Sequence, residues 1–227
     1  MGLGLVTTDL HWPDSWRVVS RPNGPIAALS LLVEDPGLLD VLVGIEALTN
    51  PLAREAYGEL ATIPPERRYL GSKAGLVMTP FVIPRASRFS GGTFGMLYAG
   101  RAIETALHET GHYQALRLRA TTAPAGFTVR MCSFSLDIAS AAIEDIRWAT
   151  GTSTRAIYDP DSYAASQAKG REIRADAQDG VLFDSVRYAS GECAGLFWPD
   201  AIKSARDGDD WLFYFDGSTI AEFARAA

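Results

Sequence analysis

The stretch Arg88–Tyr113, RFSGGTFGMLYAGRAIETALHETGHY, decides how this chain folds and what it can do. Phe94-Gly95-Met96-Leu97-Tyr98 alternates so that Phe94, Met96 and Tyr98 share one face of a strand. The chain turns at Ala99-Gly100, after which Ile103, Ala106, Leu107 and Thr110 repeat at helical spacing. Glu109 falls one step around the helix from Ala106, at the edge of the apolar stripe. A carboxylate there can be half-buried beside a cleft, where its surroundings set its protonation and its role.

Upstream, Trp16–Ser20 reads as a short strand after a loosely held lead-in at 1–15, closed by the turn residues Arg21–Pro25. Asp35-Pro36 starts a helix, with an N-cap followed by proline at the first helical position. Leu38, Leu42, Ile45 and Leu48 continue it, and a second helix is predicted from about Asn50 to Leu60. Residues 27–68 are therefore expected to form a helical subdomain packed on a main core at 75–216. Gly75–Thr79 resembles a strand.

Downstream, Phe127–Leu136 alternates as a strand and a helix is predicted from about Asp161 to Ala177. Gly180–Arg187 is the clearest late strand, placing Val181, Phe183, Ser185 and Arg187 on one face. Ala194–Trp198 and Trp211–Phe215 suggest further strands, and Ser218 could cap a short C-terminal helix. The order of elements predicts one α+β domain over 1–227, with strands that pair out of sequence.

The 227 residues are 47% apolar, ample for a core, and no apolar run approaches the roughly 18–20 residues of a membrane span. The opening MGLGLVTTDLHWPD has no basic segment leading into an apolar one, so a cytoplasmic setting is expected. Cys132 and Cys193 are then expected as buried free thiols. A net charge of −6 argues against nucleic-acid binding. The cations are nearly all arginine, with lysine only at 73, 169 and 203, and arginine suits bidentate contact with phosphate or carboxylate.

One chemistry legible in the central stretch is metal-dependent. His108-Glu109-Thr110-Gly111-His112 matches H-E-x-x-H, in which two histidines on one helix face bind zinc and the glutamate polarises a bound water. The third ligand would have to be a carboxylate such as Glu144 or Asp145, because His11 lies far upstream and no Gly-x-x-His follows His112.

The second reading takes in the flanks. Arg88-Phe89, the Gly-containing strand ending in Tyr98-Ala99, and Glu104-Thr105-Ala106 to Glu109 form one block. Asp179-Gly180, Val181–Phe183, Ser185-Val186-Arg187 and Gly191 form another. Trp16-Arg17 with Pro25-Ile26 makes a third, and Ile45–Pro51 a further match. In this order the blocks resemble the RES-domain family, toxins of bacterial toxin–antitoxin pairs, in its long form. The resemblance implies an ADP-ribosyltransferase-like fold of two small packed sheets. It implies a growth-inhibiting enzyme that takes NAD as substrate, with no permanently bound cofactor, and splits the nicotinamide–ribose bond. ADP-ribose would pass to water, phosphate or a protein, as in a glycohydrolase, phosphorylase or transferase. It also implies an Xre-type antitoxin that blocks the cleft.

The residue types suit that chemistry. Cleavage builds positive charge on the ribose as neutral nicotinamide leaves, and a fixed carboxylate stabilises it. Glu109 is the candidate. Arg88, with Arg17, can supply planar donors to the pyrophosphate. Tyr98 offers an aromatic face to the nicotinamide ring, Ser185 a hydroxyl for carboxamide or ribose, and Arg187 either a substrate contact or an ion pair. Gly91-Gly92-Thr93-Phe94-Gly95 precedes its strand and is no dinucleotide-binding fingerprint. A non-catalytic binding module that keeps only the fold is a third reading.

Overall fold

The computed structural model describes residues 7–20, 62–147 and 150–226. The expected helices at 35–48 and 50–60, and with them most of the 27–68 subdomain, lie outside the described residues. In chain order the elements are β1 (Thr7–Ser20), α1 (Ala74–Val82), β2 (Leu97–Gly100), α2 (Ile103–Ala120) and β3 (Phe127–Asp145). Then come α3 (Thr152–Ile157), α4 (Ala164–Ala175), β4 (Gly180–Asp184), β5 (Glu192–Leu196), β6 (Ile202–Phe215) and β7 (Ile220–Arg225). The fold is α+β.

The seven strands are ordered β1-β2-β5-β4-β3-β6-β7, and β1 also pairs with β3, so five of them close into a ring. The seven strands fall into two packed halves. One is β1, β3, β6 and β7, all antiparallel. The other is β2, β5 and β4, also antiparallel. They join where β4 runs parallel to the end of β3 at Ile143–Asp145 and where Trp16 of β1 meets Gly100 of β2. Leu136, Ile138 and Ile143 from one half meet Leu97, Leu182 and Leu196 from the other in a shared core, joined by Val77 and Phe81 of α1.

Each half carries a helix on its other face. Ala106, Leu107 and Ala115 of α2 pack on Val18, Met131, Phe213 and Phe215. Ile173 of α4 packs on Val181, Phe183 and Cys193. Gly100 makes the β2–α2 junction tight, since a Cβ there would lie 2.8 Å from the Ala106 nitrogen.

Several expected elements change. The 75–79 run is helical: Val77, Met78, Phe81 and Val82 are its buried positions, a helical spacing that a five-residue window cannot separate from a strand. The lead-in is strand from Thr7, paired through to Glu144 of β3. The strand after Phe94 begins only at Leu97 and runs through Gly100. The segment from Ser218 is no helix; it is β7, paired with β6 from Trp211↔Arg225 to Phe215↔Ile220. Asp216-Gly217 makes the hairpin turn, with Gly217 at φ +100° and the Asp216 carboxylate accepting the Ser218 and Thr219 N–H groups. Finally, β4 stops at Asp184, so Ser185 and Arg187 belong to the following loop.

Gly170 of α4 lies directly against the backbone of Phe89, where a Cβ would overlap the carbonyl oxygen. Gly170→Ala should therefore lower stability by about 3 kcal/mol or more, whereas Gly91→Ala, whose Cβ would meet nothing closer than 3.8 Å, should melt like the parent chain. Thermal melts of the two variants check this.

Candidate active site

The residue before Phe89 is Arg88, and the loop that presents it is tightly laced. Ala86 and Gly91 form a β-bridge, and the Ser87 N–H donates to the Ser90 carbonyl at 2.7 Å. The Tyr98 hydroxyl accepts the Phe89 N–H at 3.0 Å and lies 2.9 Å from Ser87 Oγ. From α4, Gln167 donates to the Ser87 carbonyl at 3.0 Å. The Phe89 ring, fully buried, meets Phe183 edge-on at 4.9 Å. Burial pushes the Tyr98 phenol up to about 12, so it stays protonated. Its ring packs edge-on against Phe183.

Arg88 is 7% exposed. Its guanidinium lies 4.7 Å over the Tyr163 ring, and Nη1 donates to the carbonyls of Ile157 and Asp159 at 3.2 and 3.1 Å. Arg17 donates from Nη1 to the Tyr98 carbonyl at 3.0 Å, and its Nε is buried with no partner. Burial lowers the Arg17 guanidinium to about 10. Neither arginine forms an ion pair with a carboxylate of the described residues. Two cations held by neutral carbonyls keep their charge available for an anion.

Glu109 projects from α2 toward the loop after β4. Its Oε1 accepts the Ser185 hydroxyl at 2.6 Å and the Val186 N–H at 3.2 Å. Ser185 Oγ in turn accepts the N–H groups of Arg187 and Tyr188 at 3.1 and 3.0 Å, and the Ser185 N–H donates to the Gly191 carbonyl at 2.6 Å. Ser185 thus pins its own loop and orients one carboxylate oxygen, leaving Oε2 of Glu109 without a protein donor among the described residues. The buried Cys193 thiol, pushed well up chiefly by desolvation, feels the charges of both Glu109 and Arg88. Carboxylate, serine and arginine therefore share one neighbourhood.

The structure so brings together Glu109, Ser185, Arg88 and Tyr98, while Arg17 reaches the group only through the Tyr98 carbonyl. Arg187 stands apart from the expected strand face: it donates to the Pro160 carbonyl at 2.5 Å. The segment 157–163, whose carbonyls hold both Arg88 and Arg187, was not foreseen as part of the site. The sequence signal for it is Asp159-Pro160-Asp161-Ser162, where the Asp159 carboxylate accepts the N–H groups of 161 and 162 and the helix begins only at Ala164.

His108 is stacked on Tyr188 at 4.7 Å and edge-on to Phe223 at 5.1 Å. The carboxylates named as third zinc ligands are engaged elsewhere: Glu144 pairs with buried Lys169 at 2.7 Å, and Asp145 with Arg147 at 2.6 Å. Among the described residues no group of three His, Cys, Asp or Glu is placed to hold a metal ion. Cys193 is a buried free thiol, and Cys132 is partly buried.

The RES domain model matches residues 59–216, well over half the chain, and the protein belongs to the RES-domain family. Among solved structures the chain is similar to the M. tuberculosis MbcT–MbcA toxin–antitoxin complex, at 12% identity and a TM-score of 0.43, covering 89% of this chain and 86% of that one. No curated protein matches it in sequence. Among the described residues no helix is long and apolar enough to cross a membrane.

Thiol labelling tests the site's packing. Cys193 should react about 100-fold more slowly in the native chain than in urea, with its reactivity following the unfolding transition.

Proposed function

We propose that this protein is a cytoplasmic toxin that splits NAD at the nicotinamide–ribose bond. The observation that carries the reading is the Glu109 carboxylate, fixed through one oxygen by Ser185 and Val186, in one neighbourhood with Arg88, which like Arg17 forms no ion pair among the described residues. Such a pairing of one oriented anion with uncommitted cations suits a substrate that is a diphosphate at one end and develops positive charge at the other. Membership of the RES-domain family supports the same reading.

In this mechanism Arg88 and Arg17 bind the pyrophosphate. Arg88 is pre-oriented by Tyr163 and the 157–159 carbonyls, so little ordering is needed on binding. The C1′–N bond breaks with its electron pair leaving on nicotinamide, which departs neutral. The free Glu109 oxygen faces the ribose and stabilises the oxocarbenium charge. Ser185 holds the other oxygen so that the carboxylate need not reorient as that charge develops. Tyr98 acts as a positioning residue for the Arg88 loop, its hydroxyl already engaged there, while its ring can flank the nicotinamide. ADP-ribose then passes to water, phosphate or a protein. An Xre-type antitoxin would restrain the enzyme by covering this cleft.

Antitoxin-free protein should release nicotinamide from NAD, followed by mass spectrometry, and Glu109→Gln should reduce release by about 10²–10³-fold or more. Ser185→Ala should cost about 10-fold in kcat, and Arg88→Ala should raise KM for NAD by about 10–100-fold. A chelator should leave release untouched. No nicotinamide release under any condition would overturn the proposal, and chelator-sensitive peptide cleavage would favour the zinc reading instead.

A further inference from the structure

Beside Glu109 on α2 lies a pocket of about 160 Å³, lined by His108, His112, Ala115 and Arg119 of α2, Arg187, and Thr219-Ile220. A single water needs only about 10–15 Å³ of such space, so a polyatomic ligand fits. The lining comes from three separate parts of the fold. Gly111 lets β7 approach α2 closely, since a Cβ there would lie 3.0 Å from the Phe223 ring and 3.2 Å from the Ile220 carbonyl. The Asp216 turn fixes Thr219. Tyr188 and Phe223 hold the His108 ring between them.

The pocket's ionisable lining is two imidazoles and two guanidiniums, with no carboxylate. Arg119 donates to the Ser218 carbonyl at 3.0 Å and Arg187 to that of Pro160. Each uses one nitrogen on a neutral acceptor and forms no ion pair among the described residues. We propose that this pocket is a binding site for a phosphoryl dianion, either inorganic phosphate or a phosphomonoester group. Forked guanidinium donors match its oxygens, and two imidazole N–H groups complete the set. The assignment does not depend on NAD being the substrate.

The electrostatics of His112 agree. Burial lowers its affinity for a proton, Arg187, Arg119 and Arg88 lower it further, and only Glu109 opposes them. Asp216 lies beyond, its carboxylate committed to the Ser218 and Thr219 N–H groups. A bound dianion reverses that balance, so phosphate should raise the His112 titration midpoint.

The chain has three histidines, so each can be followed by NMR of its Cε1–H group. Sodium phosphate at pH 7 should move the His108 and His112 signals saturably and raise the His112 midpoint by about one pH unit. His11, whose side chain is 72% exposed, should not move. Arg119→Gln should weaken the effect by about tenfold. Phenyl phosphate as a second titrant distinguishes the source: tighter binding than phosphate marks a phosphomonoester ligand, weaker binding the free ion, and either supports the site. The proposal fails if sodium chloride at equal ionic strength shifts the same signals equally, if phosphate shifts neither, or if Arg119→Gln titrates as the parent does.

Discussion

The fold hangs on the double pairing of one strand. Over 19 residues β3 is hydrogen-bonded to β1 along one side and to β6 along the other, and its last residues pass from β6 to β4. That change of partner joins the half-sheets. Because β1 pairs with β3 and also meets β2 at Trp16↔Gly100, the ring closes. Phe134, Leu136, Ile138 and Ile143 along β3 are all at most 1% exposed, as a strand enclosed on both sides and both faces demands.

The candidate site is built where the half-sheets converge on the N-terminal part of α2. Tyr98 at β2, Ser185 just beyond β4 and Glu109 on α2 come from segments that the ring forces together. Glu109 is anchored on a helix, and two loops bring Arg88 and Ser185 to it. The Arg88 loop hangs on a phenol hydroxyl, and the Ser185 loop hangs on its own serine. In each case a hydrogen-bonding group on the fold does the holding, leaving the charged group beside it without an ion partner.

The parts of this arrangement that were legible in the sequence are those where local pattern and tertiary environment agree. Phe127–Leu136 alternates cleanly and is strand. The continuation, Asp137–Asp145, is poor in large residues and is strand only because β1 and β4 pair with it. The Ile220–Arg225 segment has helix-forming Ala, Glu and Arg, yet β6 recruits it; the Asp216-Gly217 turn was the clue that outweighed propensity. Glu109, Ser185, Arg88, Tyr98 and Arg17 are candidates from the sequence because their types suit one reaction and their blocks resemble one family. What could not be read was the manner of support: that Ser185 grips Glu109, that the Tyr98 phenol serves the Arg88 loop, and that Tyr163 underlies Arg88. Those are long-range contacts with no local signature.

The pairing of β1 with β3 has a consequence for how the protein is made. Ser20 finds its partner at Met131, and Thr7 waits for Glu144. At ribosomal speeds of about 5–20 residues per second, the first strand stays without a partner for several seconds after it is synthesised. Contacts so distant along the chain also make folding slow. Arg17 on β1 and Glu109 on α2 are therefore both synthesised well before β3 is there to close the ring.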